Sequence, residues 1–174
     1  TNLGETYNRL GDPTKAIHYL TQAEVITDEL GDKTGLGEAV RGLGKAHLAR
    51  GEYEEARTYA ERAVEIFRET KAKVQLGVAL RSLGEILGAG NLGGDGFLAA
   101  RDRLLQSLFI FEEIGNDVEL ARTCRLYAAL LKASPDFQTD PVIARDAAQF
   151  AERADNIFAK LEGRTADAAT LSRR

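Results

Sequence analysis

Residues 34–70, TGLGEAVRGLGKAHLARGEYEEARTYAERAVEIFRET, read as two amphipathic helices joined at Gly51-Glu52. In the first half Leu36, Ala39, Val40, Leu43, Ala46 and His47 recur at steps of three or one, which gathers them on one helical face. In the second half Ala56, Tyr59, Ala60, Ala63, Val64 and Phe67 form another such stripe. Gly51 can enter the left-handed conformation that ends a helix, because it has no Cβ to clash. A helical hairpin of this kind has an apolar face and no layer of its own to bury it against. It needs neighbours.

The chain supplies them as copies. Leu43-Gly44 recurs forty residues earlier as Leu3-Gly4 and forty later as Leu83-Gly84. Ala56, Ala60 and Ala63 repeat Ala16, Leu20 and Ala23 at the same interval. A third second-helix carries Ala100, Leu104 and Ser107, displaced by a glycine-rich insert. A fourth unit carries Thr123, Cys124, Tyr127 and Ala128, then Ala147, Ala151, Ala154, Ile157 and Phe158. Self-similar helical hairpins at a fixed period indicate an all-α fold, an α-solenoid of tandem antiparallel helix pairs. The expected organisation is one array over residues 1–174, with four repeats at about 1–32, 33–72, 73–116 and 117–163. A partial repeat or capping helix is expected at 164–174, after a stop at Gly163. Asp12-Pro13 and Asp140-Pro141 look like helix starts, with the acid as N-cap and proline in the first turn. Residues 88–96, GAGNLGGDG, look like an irregular loop.

Bulk composition narrows the function classes. The 174 residues are 44% hydrophobic and carry a net charge of −4 with both signs interspersed. No basic face is set up to neutralise phosphates, so nucleic-acid binding is not expected. No apolar run approaches the length of a membrane span, and none is expected. One cysteine cannot form an internal disulfide and suits a reducing compartment, so a cytoplasmic location is expected. The chain opens at Thr1, which the repeat register places within a helix, as though excised from something longer. No metal or cofactor is expected, since no Cys/His spacing suggests one.

These residues resemble the tetratricopeptide repeat. Its Leu–Gly/Ala marker pair reads Leu3-Gly4, Leu43-Gly44, Leu83-Gly84 and Tyr127-Ala128 here. The usual tyrosine position holds Tyr7, His47, Leu87 and Leu131. The first small residue of the second helix is Ala16, Ala56, Ala100 and Ala147; the next is Ala23, Ala63, Ser107 and Ala154. The usual proline is replaced by Asp28, Arg68, Glu112 and Ala159. With the forty-residue period, that departure is more similar to the longer-repeat branch of kinesin light chains, Pins-type adaptors and bacterial regulator sensor domains. The resemblance implies a right-handed superhelix and a non-enzymatic protein-interaction scaffold with a concave groove for a peptide or partner segment. A ligand- or peptide-sensing regulatory module of a larger signalling or transcription-regulator protein is the alternative it implies.

Within that resemblance, Arg41, Arg81 and Arg125 share one groove position in consecutive repeats. Four residues on lie Lys45, Glu85 and Ala129, and Arg122 joins the same wall. A ladder of guanidiniums roughly 10 Å apart would suit the carboxylates and carbonyls of an extended, acidic peptide. The family's carboxylate clamp for acidic C-termini is not reproduced, because Glu5, Lys45 and Glu85 replace its asparagine. Homo-association through exposed terminal helices is a further expectation. Gly88 to Gly93 match G-x-G-x-x-G, yet that fingerprint needs a preceding strand, and the pattern here lies between helices. His18 and His47 fall in different repeats, and Cys124 falls on an apolar stripe, so all three read as structural rather than catalytic.

Overall fold

The structure is a computed structural model and describes residues 1–90 and 95–171. Among these there is no strand. Eight α-helices follow one another: α1 (Asn2–Leu10), α2 (Pro13–Glu29), α3 (Lys33–Ala49), α4 (Tyr53–Glu69), α5 (Lys73–Gly90), α6 (Asp95–Glu113), α7 (Asp117–Lys132) and α8 (Pro141–Leu171). A 3-10 turn, Pro135–Gln138, links the last two. Each helix packs on its successor, and α1 on α3, α3 on α5 and α5 on α7. Two helices per repeat, with first helices touching first helices, is the α-solenoid that the sequence period calls for.

The stripes are buried as their spacing requires. Leu36, Ala39, Val40, Leu43 and Ala46 are buried on α3, and Ala56, Ala60, Ala63, Val64 and Phe67 on α4. No hairpin owns its core: one cluster joins Leu36 and Val40 of α3 to Phe67 of α4 and Leu80 and Ile86 of α5. Another joins Leu104 and Phe111 of α6 to Cys124 and Leu131 of α7 and Ala154 of α8. Close approach is built from absent side chains. A Cβ on Gly84 would stand 2.7 Å from Leu104 Cγ, and one on Gly77 would stand 2.7 Å from Phe111 Cζ. Leu3 alone among the marker pairs is largely exposed, at 49%.

One turn recurs through the array. Gly11, Gly31, Gly51 and Gly115 adopt positive φ within two residues of a helix end, and the next residue takes the N-cap position of the following helix. Asp12 accepts from Lys15 N, Asp32 from Gly35 N and Asn116 from Glu119 N. In the turn between α4 and α5, Lys71 holds the same left-handed conformation, at φ 55°. An L side chain there costs about 1–2 kcal/mol. Lys71→Gly is therefore expected to raise stability by about 0.5–1 kcal/mol, part of the relief being offset by a freer unfolded chain. A higher urea midpoint at unchanged slope is the check.

Two expected breaks lie elsewhere. Helix α5 continues through Gly88 to Gly90, and α6 begins at Asp95, so the expected loop at 88–96 is not irregular at its ends. Gly88 belongs in the helix because a Cβ there would come within 2.9 Å of Leu130 Cδ1. Residues 91–94 lie outside the described residues. At Gly163, α8 runs on without interruption to Leu171, and no positive φ ends it there. A lone glycine costs a helix about 1 kcal/mol but does not stop it. The remainder of the partial helix expected at 164–174 lies outside the described residues.

Candidate functional site

The expected ladder lies along the first helices, but its guanidiniums are occupied. Arg41 Nη2 lies 3.0 Å from Glu5 Oε1 of α1 and 2.8 Å from Glu38 Oε2 of its own helix, and its side chain is only 12% exposed. Arg81 lies 2.6 Å from Glu119 of α7 and is 16% exposed. It also donates to Glu119 O and Thr123 Oγ1. Both arginines thus tie one repeat to the next. Burial by itself pushes the Glu119 carboxyl up, but the Arg81 and Arg122 charges outweigh it and hold the carboxyl below its usual range.

The two remaining arginines are more open. Arg122 pairs with Glu119 at 2.5 Å, and Arg125 pairs with Asp155 at 3.0 Å while resting 4.3 Å over the Phe158 ring. Both side chains are more than half exposed. Lys45 and Glu85 have no ion pair or side-chain hydrogen bond among the described residues. The six expected residues therefore differ: Arg41 and Arg81 are half-buried staples, Arg122 is exposed beside the Glu119 of one staple, Arg125 is in an exposed pair, and Lys45 and Glu85 are uncommitted.

Composition did not point to the concavity beside them. Between α5 and α7 a slot of about 190 Å³ is lined by Gly84, Gly88, Ala89, Leu126 and Ala129, with Glu85 as its one charged residue. Leu104 and Leu130 also line it, and the signal for it was the glycine and alanine content at helix-A positions.

The two histidines and the cysteine lie in three different settings. His47 Nδ1 faces Glu52 Oε2 at 2.6 Å, and its ring stacks on Tyr59 at 5.2 Å. His18 is exposed beside Gln22. Cys124 is fully buried, and burial pushes its thiol up, away from reactivity. Of the G-x-G-x-x-G pattern, Gly88 and Gly90 are helical with no strand before them, and Gly93 lies outside the described residues. Among the described residues no cluster of His, Cys, Asp or Glu could hold a metal ion, and no helix is long and apolar enough to cross a membrane.

Comparison with known proteins agrees with this architecture. The tetratricopeptide repeat sequence profile matches residues 1–69. No curated protein matches the sequence. Among solved structures, BtubC (BKLC) from P. vanneervenii is similar at 21% identity and a TM-score of 0.73, over 92% of this chain and 62% of that one. A Podosopora anserina protein assigned as a kinesin light chain, with nearly identical TPR-like repeats, is similar at 19% identity and a TM-score of 0.56. That match covers 92% of this chain and 93% of the other. The chain thus spans about three fifths of the first of these and nearly all of the second. Its first 69 residues match the tetratricopeptide repeat profile, and over 92% of its length the chain is similar in fold to these helical-repeat solenoids.

Proposed function

We propose that this chain is a protein-interaction scaffold that holds an extended partner segment along the groove formed by α1, α3, α5 and α7. The observation that carries the reading is the slot between α5 and α7, with the uncommitted charge of Glu85 in its wall. At about 190 Å³ it is smaller than the few hundred Å³ of a typical small-molecule site, and it favours a side chain of a peptide. Arg125 sits in an exposed pair worth about 0–1 kcal/mol, so a partner's carboxylate can replace Asp155 at little cost, and the Arg122 guanidinium is itself more than half exposed beside Glu119. Lys45 offers a further free cation. Arg41 and Arg81 act by position, holding the repeats that form the walls. Homo-association through Leu3, Val25 and Ile26, all exposed on the first hairpin, belongs to the same proposal.

The test is binding of peptides selected from a random display library on the wild-type protein. Ala129 is exposed, so Ala129→Glu leaves the fold intact while plugging the slot and adding a carboxylate beside Glu85. Groove-selected peptides are expected to lose about tenfold or more in affinity to it, and a smaller factor to Lys45→Glu. Unchanged affinity in both variants would remove the groove as the site.

A further inference from the structure

The outward face of α6 carries two large apolar residues where α2 carries one, Thr21 and Val25 standing at these positions, and where α4 and α8 carry none. In the shared register Leu105 and Phe109 stand where α4 has Glu61 and Glu65 and α8 has Glu152 and Asn156, all four exposed. Leu105 is likewise exposed, and Phe109 is 67% exposed. Scattered apolar residues on a surface need no explanation, but these two lie one helical turn apart on the edge of a concavity. That groove, of about 400 Å³, is floored by Leu76, Leu80 and Ile110 and has Arg68 at its rim. Arg57 and Arg62 of the same helix each hold a glutamate. The Arg68 side chain has no ion pair or hydrogen bond among the described residues.

We propose that this groove docks a short amphipathic segment of a partner protein bearing two aliphatic side chains one turn apart and a neighbouring carboxylate. The aliphatic groups would lie between Phe109 and Leu76, taking apolar surface on both sides out of water. The carboxylate would meet the Arg68 guanidinium, whose planar fork accepts both oxygens. A second copy of the chain is a poorer occupant. A two-fold contact through this patch would bring Arg68 near its own symmetry mate with no acid from the groove lining between them. Two exposed side chains and one groove also fall short of the roughly 800 Å² per partner of a stable interface. The surface shares no residue with the slot between α5 and α7, so it stands or falls separately from the groove reading.

The experiment is selection of random peptides of about 12 residues, long enough for three helical turns, against the full chain, followed by anisotropy titration of the enriched peptides. Phe109→Glu installs the residue type α4 already carries at Glu65, and its circular-dichroism melt checks that it folds. A class of peptides is expected with two aliphatic residues three or four apart and an Asp or Glu beside them. These should lose about tenfold or more to Phe109→Glu and bind Ala129→Glu as they bind the wild type. Arg68→Glu should weaken them and favour Lys-substituted versions. The proposal is overturned if no enriched peptide distinguishes wild type from Phe109→Glu, or if those that do carry basic residues instead. It is also overturned if sedimentation shows a dimer that Phe109→Glu abolishes, since the occupant would then be a second copy.

Discussion

Phe67→Ala is expected to destabilise the protein by about 3–5 kcal/mol, the range for emptying a fully buried aromatic site. Phe67 is completely buried, and it fills the space left by Gly37, where a Cβ would come within 2.6 Å of the ring. The surrounding helices cannot easily collapse into the void, because α3 and α5 are already as close to α4 as their small residues allow. For a domain of marginal stability that loss is a large share of the total. A lowered urea midpoint with unchanged slope would measure it.

The second large effect concerns the staple between the third and fourth repeats. Glu119→Gln keeps the shape of the side chain but removes the charge that faces Arg81 at 2.6 Å. Breaking a fully buried pair costs about 3–5 kcal/mol, and with both partners about one-sixth exposed the expected loss here is about 2 kcal/mol. The pH dependence has a definite sign. The folded Glu119 carboxyl titrates below its ordinary value, so its contribution is complete above the unfolded pKa and is lost as pH falls through the folded one. The gap between wild type and Glu119→Gln should therefore be full at about pH 7 and shrink at about pH 3. A gap that persisted undiminished in acid would assign the effect to shape rather than charge.

The repeats were legible because they are written in side-chain size. Gly44, Gly84, Ala56 and Ala63 stand where helices touch, and few other residues fit there. That Arg41, Arg81 and Arg125 fall on successive first helices was legible for the same reason, each being a fixed offset from Leu43, Leu83 and Tyr127. Their partners were not. Arg41 reaches back to Glu5, whereas Arg81 reaches forward to Glu119. The counterparts of Glu5 in later repeats are Lys45, Glu85 and Ala129, so the period that locates each arginine says nothing about which neighbour holds an acid. Glycine content misled at Gly88 and Gly163, where close packing in one case and tolerance in the other keep the helix going. Lys71 carries no sign of its left-handed backbone except its place in a turn that uses glycine four times elsewhere. Phe109 is exposed like its counterpart Glu65, and the repeat pattern, which places the position outward, says nothing about its apolar character.

The claim beneath all of this is that no hairpin is stable alone and that neighbours share one core. Amide hydrogen exchange on Phe67→Ala tests it most directly, since it reads each helix separately. Faster exchange spreading together through α3, α4 and α5, whose side chains form one cluster with Phe67, is the predicted result. Acceleration confined to α4, with α3 and α5 as protected as in the wild type, would contradict it.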